Sequence, residues 1–498
     1  MGEIEFVDQT FRDGQQSLWG MRMRGGMVTG AAERLDRAGF RAIEVTGSSL
    51  MECAMRYSHE DPWESLDLWR RLLPNNELRS GVCQNRIGTF GLTPDALVDL
   101  FVQTLIKHGI DTFWVYDCLY NLDQMRRVTE TIAAAGGKAL GAVMYGISPV
   151  HTDEWFASRV REMASWSSTV GIYVEDAPGI LTMDRTRTLV PALIEAGGEK
   201  PVEFHFHNNT GLGAANYMEA IKAGARVLHT ASRPLANGPS LPSTEQTLEN
   251  LQWLGYEHNI DLESLPGIAD HVERIAHQEG WAVGVPNEYN VFAYSHQLPG
   301  GMTGTLKAQL AQYDMSHRLP EVLEECVTVR GELGHPVSAT PFSQLIGIQS
   351  VLNIVTGDRW SVVPDEVCIY LGGHFGDPPA PIDQNVKDKA LSTPNGQRFL
   401  DWERPQPSLE EIREEYGGTR VSDEELIMRY LVPEEDFAKA RAAGPLNPTY
   451  CFDDQMAVTD LIDHLLTLKR PKSVSLSGSF GTFSYTRSSE VTSGKGSS

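Results

Sequence analysis

Two histidines one residue apart, His205 and His207, lie in the stretch Pro201–Gly211, PVEFHFHNNTG. The apolar run Val202–Phe206 predicts a short buried strand, and the Asn-Asn-Thr-Gly that follows predicts the turn that ends it. Because residues i and i+2 of a strand share a face, both imidazoles point to one place at the carboxyl end. This pattern favours a metal site, with two packed structural histidines as the alternative.

Other polar side chains follow the remaining predicted strands. Charges at the ends of apolar strands are costly unless they are paired or bound to a metal. The sequence therefore predicts one divalent cation, Zn²⁺ first with Mn²⁺ or Co²⁺ as alternatives. The predicted ligands are Asp13, Glu175, His205 and His207.

Arg12 precedes the predicted metal ligand Asp13. A 2-oxo acid can chelate a metal through its keto oxygen while a guanidinium stabilises the enolate oxygen. This pattern indicates that Arg12 binds substrate. An internal salt bridge from Arg12 to Glu44 or Asp13 is the alternative, and both can hold at once.

Short apolar strands alternate with amphipathic helices from residue 1 to about 285. Eight such units predict a (β/α)₈ TIM barrel, an α/β fold whose active site gathers at the carboxyl ends of the strands. A doubly wound open sheet is the alternative, but the sequence lacks its Gly-rich dinucleotide turn. The predicted strands are Ile4–Val7, Ala42–Thr46, Leu78–Val82, Thr112–Tyr116, Ala139–Met144, Gly171–Val174, Val202–Phe206 and Val227–Thr230.

The chain changes character after the predicted barrel. Long helical patterns joined by Pro-rich connections predict a mainly helical domain over residues 286–470, with a last helix at Met456–Leu468. Residues 471–498 are rich in Ser, Gly and Thr, which predicts a disordered tail. The predicted catalytic domain is therefore 1–285.

Composition narrows the class of function. The 498 residues are 41% hydrophobic and 22% charged, which is typical of a globular protein. A formal charge of −24 argues against nucleic-acid and anionic-membrane partners, which require basic surfaces. Six scattered cysteines and no apolar run of membrane-spanning length predict a cytoplasmic protein with free thiols.

Several motifs together resemble a known family. Asp8–Ser17, DQTFRDGQQS, is similar to the Asp-Thr-Thr-Phe-Arg-Asp-x-x-Gln-Ser opening of biotin-dependent carboxyltransferase domains. These are the domains of pyruvate carboxylase, the oxaloacetate decarboxylase alpha subunit and transcarboxylase, within the Asp-Arg-Glu metal lyases. Met51–Trp63, His205–Gly211, Leu298–Lys307 and Ala339–Gln344 resemble further family segments. The likeness runs over residues 3–440, and the chain is identified as a divergent member.

The resemblance implies a TIM barrel followed by a helical funnel domain, and a homodimer. It also implies an enzyme in which a divalent metal and Arg stabilise enolpyruvate, which gives CO₂ to biotin or takes it from biotin. Metal ligands carry over to Asp13, His205 and His207. The enolate-stabilising pair carries over to Arg12 and Gln16, with Glu44 as the buried Glu.

The departures from the family are specific. The family's carbamylated lysine is replaced by Glu175, which supplies a carboxylate on a shorter stem. The family's Leu-Arg-Gly-x-Asn segment corresponds to Gly81–Asn85. Val82 therefore replaces the Arg that anchors the substrate in the family, whereas the Asn is kept as Asn85. Arg86 offers a guanidinium from another position. A biotin-pocket Tyr falls at Thr89.

Two further departures concern biotin chemistry. The family's catalytic Thr loop, Gly-x-Thr-Ser-Gln-Pro, meets Asn237–Pro242, where Ser240 is the nearest hydroxyl. No Ala-Met-Lys-Met biotinylation segment occurs in the sequence. Biotin is therefore expected only from a separate carrier protein.

Three functional hypotheses follow. The first is a metal-dependent carboxyltransferase or decarboxylase that acts on a small pyruvate- or oxaloacetate-like 2-oxo acid through an enolate. The second is an aldol- or Claisen-type carbon–carbon lyase or synthase on a 2-oxo acid. The third is a catalytically inactive subunit of a carboxylase assembly, although unused buried charges would then destabilise the fold.

Overall fold

A closed barrel of parallel strands forms the first half of the chain. The computed structural model describes residues 3–88, 91–311, 314–418, 420–452, 473–478 and 481–486. The strands pair in chain order, and β1 closes the barrel on β8. Their bounds are β1 Glu5–Asp8, β2 Ala42–Gly47, β3 Leu78–Cys83, β4 Thr112–Tyr116, β5 Lys138–Met144, β6 Thr169–Asp176, β7 Val202–Phe206 and β8 Val227–Thr230. The predicted TIM barrel is confirmed.

Helices surround the strands. The helices up to the end of the barrel are α1 Gln15–Trp19, α2 Thr29–Arg37, α3 Ser48–Cys53, α4 Pro62–Leu72, α5 Asp95–Lys107, α6 Leu122–Ala134, α7 Asp153–Ser165, α8 Met183–Gly197, α9 Gly213–Lys222, α10 Thr244–Leu254 and α11 Ser264–Glu279. Their amphipathic faces pack on the strands, as in the contact of Phe206 in β7 with Tyr217 in α9, whose ring centroids are 5.3 Å apart.

A helical region follows the barrel, as predicted. Its helices are α12 Ala293–His296, α13 Gly300–Ala311, α14 Leu319–Glu332, α15 Phe342–Thr356, α16 Asp365–Leu371, α17 Gln384–Ser392, α18 Pro394–Gln397, α19 Leu409–Glu415, α20 Asp423–Leu431 and α21 Glu434–Ala443. Barrel and helices form one compact unit over residues 1–449, so the boundary at 285 stays a prediction. None of the described helices combines the length and apolar character that a membrane crossing requires.

Residues 450–498 form a second unit. Within it, β9 Ser473–Gly478 and β10 Gly481–Thr486 pair as an antiparallel hairpin. The other residues of the predicted tail 471–498 lie outside the described residues, so the disordered tail stays a prediction. The register sets Leu476 opposite Phe483 and Val474 opposite Tyr485. This alternation is a strand signal that the Ser- and Gly-rich composition obscured. The predicted helix Met456–Leu468 lies outside the described residues, as does Thr89.

Alternation along the strands explains what fills the barrel. In β7, Glu203 and His205 contact residues of other strands across the interior, while Phe204 and Phe206 are the intervening positions. Trp114 of β4 stacks on Tyr173 of β6 with ring centroids 4.6 Å apart, and the two rings form one small cluster with Leu140 and Ala142. The interior therefore holds both packed rings and buried charges.

Candidate active site at the carboxyl ends of the strands

Three predicted metal ligands meet at the top of the barrel. The Nε2 atoms of His205 and His207 are 3.1 Å apart. Asp13 lies close to both, with Oδ2 at 3.6 Å from His205 Nε2 and Oδ1 at 3.5 Å from His207 Nε2. Ligand atoms of the three residues all lie within 4.8 Å of one another, and all three residues are buried.

The chain positions these ligands through two local structures. His205 lies on β7, and His207 is the first residue after the strand ends. The two residues are two positions apart, so their side chains lie on the same face. Asp13 lies in a wide π-helical turn, Thr10–Gly14, closed by a hydrogen bond from Gly14 N to the carbonyl of Gln9. Such turns carry one residue more than an α-helical turn and recur at functional sites.

Gly14 is needed at the end of that turn. A Cβ atom there would lie 2.9 Å from the carbonyl oxygen of Leu235. Real Cβ atoms do not approach backbone so closely, so a side chain would push Asp13 and the β8 loop apart. The close approach holds the first loop and the last loop of the barrel together under the site.

Hydrogen bonds leave the ligand nitrogens free to bind a cation. His207 Nδ1 donates to the carbonyl of Pro239 at 2.7 Å, because a carbonyl only accepts, and this leaves Nε2 for the site. His205 Nδ1 lies 2.8 Å from the hydroxyl of Tyr173. Two nitrogens bound to one Zn²⁺ at about 2.0–2.1 Å are about 2.9–3.4 Å apart, so the observed separation fits a shared cation.

Electrostatics at the three residues agree with that fit. Burial opposes the charged imidazolium of His207, but Asp13 outweighs it and raises the pKa of His207 to about 9. Burial lowers the pKa of His205 well below its usual range. The pKa of Asp13 is well below its usual range because His207 and Arg12 outweigh the effect of burial. Asp13 is thus held as a carboxylate, the form that binds metals.

Glu175, the fourth predicted ligand, is near the three residues but outside their 4.8 Å group. Burial raises the pKa of its carboxyl to about 7, and its Oε2 atom is buried without a hydrogen-bond partner. An orphaned buried oxygen beside three ligands is typical of a position that a cation or its bound water occupies. Asp13, His205, His207 and Glu175 are called the rim cluster below.

Arg12 is fixed beside the rim cluster by carboxylates on two sides. Its Nε atom lies 2.6 Å from Glu44 Oε1, and its Nη1 donates to Asp13 Oδ2 at 2.8 Å. Its Nη2 donates to the Tyr173 hydroxyl at 3.3 Å. A guanidinium has five N–H donors, so Nη1 and Nη2 each keep one N–H for a ligand. Both predicted roles of Arg12, salt bridge and cavity-facing cation, are therefore compatible.

Glu44, a predicted catalytic residue, contacts Arg12 below the cavity. Its side chain is fully buried, and besides Arg12 it accepts from Trp114 Nε1 and Gln9 Nε2, each at 2.7 Å. Glu44 is not among the described residues that line the cavity. These contacts position Arg12, and a catalytic role of Glu44 stays a prediction.

A cavity of about 420 Å³ opens above the rim cluster. Its walls combine the barrel rim with residues of the helical region. Among the residues that line it are Arg12, Asp13, Gln16, Trp114, Tyr116, Glu175, His207, Pro239, Thr340 and Gln344. The volume suits a small organic acid. Gln16 lies where a substrate-binding residue was predicted.

Two predicted residues lie elsewhere. Neither Ser240 nor Asn85 is among the described residues that line the cavity. The Ser240 hydroxyl is fully buried and donates to the Leu235 carbonyl at 2.7 Å, while Asn85 Oδ1 accepts from Cys83 Sγ at 3.3 Å. Both side chains thus form hydrogen bonds with nearby residues of their own chain segments. Pro239 instead occupies the cavity wall.

A second polar group lies deeper in the barrel and was not predicted. Arg79 Nη1 donates to Glu203 Oε2 at 2.5 Å, and His229 Nε2 lies 3.1 Å from the same oxygen. Gln9 Nε2 lies 3.0 Å from His229 Nδ1 and donates to Glu44. These five residues are called the barrel network. Strand periodicity was a signal for it, because Glu203 and His205 are two residues apart and share one face of β7.

Comparison with known proteins places the chain. A profile described as "HMGL-like" matches residues 105–272, and one described as "Conserved carboxylase domain" matches residues 293–475. The 2-oxoglutarate carboxylase large subunit of Hydrogenobacter thermophilus is 33% identical over 467 residues, which cover 90% of this chain and 70% of the relative. The chain belongs to the biotin-dependent carboxyltransferase family. It is thus an enzyme of carboxyl-group chemistry on 2-oxo acids, as predicted.

Other carboxyltransferases extend the match. A pyruvate carboxylase subunit of Methanocaldococcus jannaschii is 32% identical, with 86% of this chain and 76% of the relative covered. The carboxyl transferase domain of Rhizobium etli pyruvate carboxylase, solved with pyruvate, superposes with a TM-score of 0.79 at 26% identity. That alignment covers 90% of this chain and 79% of the solved chain. The predicted barrel and helical domain are both within it.

Proposed function

We propose that this chain binds a divalent metal at the rim cluster and transfers or removes a carboxyl group of a small 2-oxo acid through its enolate. The observation that carries the proposal is the meeting of Asp13, His205 and His207 beside a fixed guanidinium at the cavity. Bound there, a divalent cation would act as a Lewis acid that polarises the keto group.

The residues of the chain supply the rest of the reaction. Arg12 is held charged by Glu44 and Asp13, and its two remaining N–H groups aim at the oxygen where enolate charge develops. Gln16 lines the same cavity and adds a polar contact for the substrate. Because Glu44, Trp114 and Tyr173 hold Arg12 in advance, little reorganisation accompanies the charge shift.

The first test measures enolate formation directly. Full-length protein loaded with Zn²⁺, Mn²⁺ or Co²⁺ is incubated with pyruvate in D₂O, and exchange of the C3 protons is followed by NMR. We expect exchange in the wild type and its loss, by more than about a hundredfold, in His207→Ala, since even outer residues of metal sites contribute about 10–100-fold. His277→Ala, which changes an exposed histidine of α11, is the matched control. A metal-loaded wild type without exchange would overturn the proposal.

A second assay separates carboxyl chemistry from the carbon–carbon lyase alternative. Loss of CO₂ from oxaloacetate is expected for the first reaction, and condensation of pyruvate with aldehyde or acyl-CoA acceptors for the second. The alternative draws support from Ser240, whose hydroxyl is engaged by Leu235 and is not presented to the cavity. Absence of bound metal in freshly isolated protein would instead favour an inactive assembly subunit.

We also propose that biotin, where it takes part, arrives on a separate carrier protein, and that the chain forms a homodimer. Carboxyl transfer from a carboxybiotinylated carrier tests the first statement. Light scattering of the purified chain tests the second.

A further inference from the structure

A tyrosine and an arginine form an unassigned pair in the cavity wall. Tyr116 ends β4 and lines the cavity. Its hydroxyl oxygen accepts a hydrogen bond from Arg86 Nη2 at 3.3 Å, and the same Nη2 donates to the Thr340 carbonyl at 3.1 Å. Arg86 is 3% exposed, so it lies behind Tyr116 rather than in the cavity.

Arg86 forms no ion pair with any of the described residues. Among the described residues no carboxylate lies within ion-pair distance of it, whereas Arg12 has Glu44 and Asp13. Arg86 Nη1 is buried without a hydrogen-bond partner. Asp117, the acid closest along the chain, is already held by Gln84 and by backbone N–H groups. A buried charge without a partner is costly, and an anionic ligand would relieve that cost.

The Tyr116 hydroxyl transmits the effect of the Arg86 charge to the cavity. A guanidinium can only donate, so the Tyr116 oxygen is the acceptor and its own O–H remains to donate. Among the described residues that proton has no acceptor. Burial raises the pKa of Tyr116 and keeps the phenol neutral. Polarised from behind by Arg86, the Tyr116 O–H is a strong donor for an anion.

One aromatic ring, that of Trp114, lies close to both Arg12 and Tyr116. The Arg12 guanidinium carbon lies 5.4 Å from the Trp114 ring centroid, and the ring centroids of Trp114 and Tyr116 are 5.0 Å apart. Arg12 and Tyr116 also line the same cavity. A ligand in that cavity can therefore meet the Arg12 guanidinium and the Tyr116 hydroxyl at once.

We infer that the Tyr116 hydroxyl, backed by Arg86, binds the second carboxylate of a dicarboxylic 2-oxo acid, the carboxylate that is not transferred. The 2-oxo end of that acid lies at Arg12 and the rim cluster. Tyr116 is then a specificity-determining residue and Arg86 its positioning residue. This inference rests on the proposed function and narrows its substrate class.

The test compares two ligands of equal chain length. Binding of 2-oxoglutarate and of 2-oxopentanoate, which lacks the second carboxylate, is measured by calorimetry on the full, Zn²⁺-loaded chain. We expect the wild type to prefer 2-oxoglutarate and Tyr116→Phe to lose about tenfold or more of that preference, as for a hydrogen bond to a charged group. Affinity for 2-oxopentanoate is expected to be unchanged.

Variants of Arg86 separate charge from structure. Arg86→Met is expected to reduce the preference while Arg86→Lys restores part of it, since lysine keeps the charge. Tyr57→Phe and Arg161→Gln change exposed residues and serve as controls. Retention of the preference in Tyr116→Phe, or equal affinity of the wild type for both ligands, would overturn the inference alone. A wild type that binds neither ligand would overturn the proposed function with it.

Discussion

The rim cluster and the barrel network use the same kinds of residue, yet they differ in what completes them. In the barrel network each charge has its partner, as Glu203 has Arg79 and His229. In the rim cluster Glu175 keeps an unpartnered oxygen and two imidazole nitrogens face each other. One group is complete within the chain, and we propose that a divalent cation completes the other. The deeper barrel network therefore contributes to stability, and the rim cluster is the group available for chemistry.

Removing Glu203 should give the largest effect on stability. Glu203→Gln leaves the buried Arg79 with only the less buried Glu77 as a counter-ion, so we expect the free energy of unfolding to fall by about 3 kcal/mol in urea denaturation. The double variant Arg79→Met/Glu203→Met should recover most of that loss. The matched control is Glu154→Gln, which breaks an exposed pair with Arg161 and should have little effect. Equal stability of Glu203→Gln and wild type would show that the barrel network is not self-sufficient.

The rim cluster should show a pH dependence that metal abolishes. His207 has a pKa of about 9 in the folded metal-free protein, above the value of about 6.5 expected when unfolded. Its contribution to stability is therefore fully present below about pH 6.5 and is lost as pH rises through about 9.

The measurement is the difference in free energy of unfolding between wild type and His207→Gln, taken in EDTA at pH 6 and pH 9. We expect this difference to shrink at pH 9. With saturating Zn²⁺ we expect the wild type to be stabilised at both values, because the ion binds only the folded site. A difference that stays constant in EDTA would contradict the Asp13–His207 coupling.

Ser240→Ala should have the smallest effect. The change removes one buried hydrogen bond to the Leu235 carbonyl, so we expect a loss of about 1 kcal/mol in stability. Carboxyl-transfer activity should be unchanged, because Ser240 does not line the cavity. A large loss of activity at unchanged stability would return Ser240 to the catalytic role predicted from the sequence.

Strand periodicity predicted most of the fold. Thr112–Tyr116, Val202–Phe206 and Val227–Thr230 have the bounds that the alternation of apolar residues predicted. The prediction for β6 was shorter than the strand, which continues through Glu175 and Asp176. Charged residues at a strand end reduce the apolar signal, although the barrel rim accommodates them.

Prediction of the site was accurate where spacing along one strand sets the geometry. His205 and His207 meet because residues two apart share a face, and Asp13 joins them through the family motif. The roles predicted for Ser240 and Asn85 stay predictions; both lie in loops, where the sequence pattern does not indicate the local hydrogen bonds to Leu235 and Cys83 that the structure shows. The Arg86–Tyr116 contact joins the loop after β3 to the end of β4 and has no signal in either segment alone.

The wide turn Thr10–Gly14 sets the direction of Asp13 through one additional residue. Successive residues of an α-helix are rotated by about 100° about the helix axis. Deletion of one residue from this turn would therefore point the Asp13 carboxylate in another direction, while the sequences of the flanking strand and helix stay unchanged. A single in-frame deletion would thus separate the Asp13 carboxylate from both histidines.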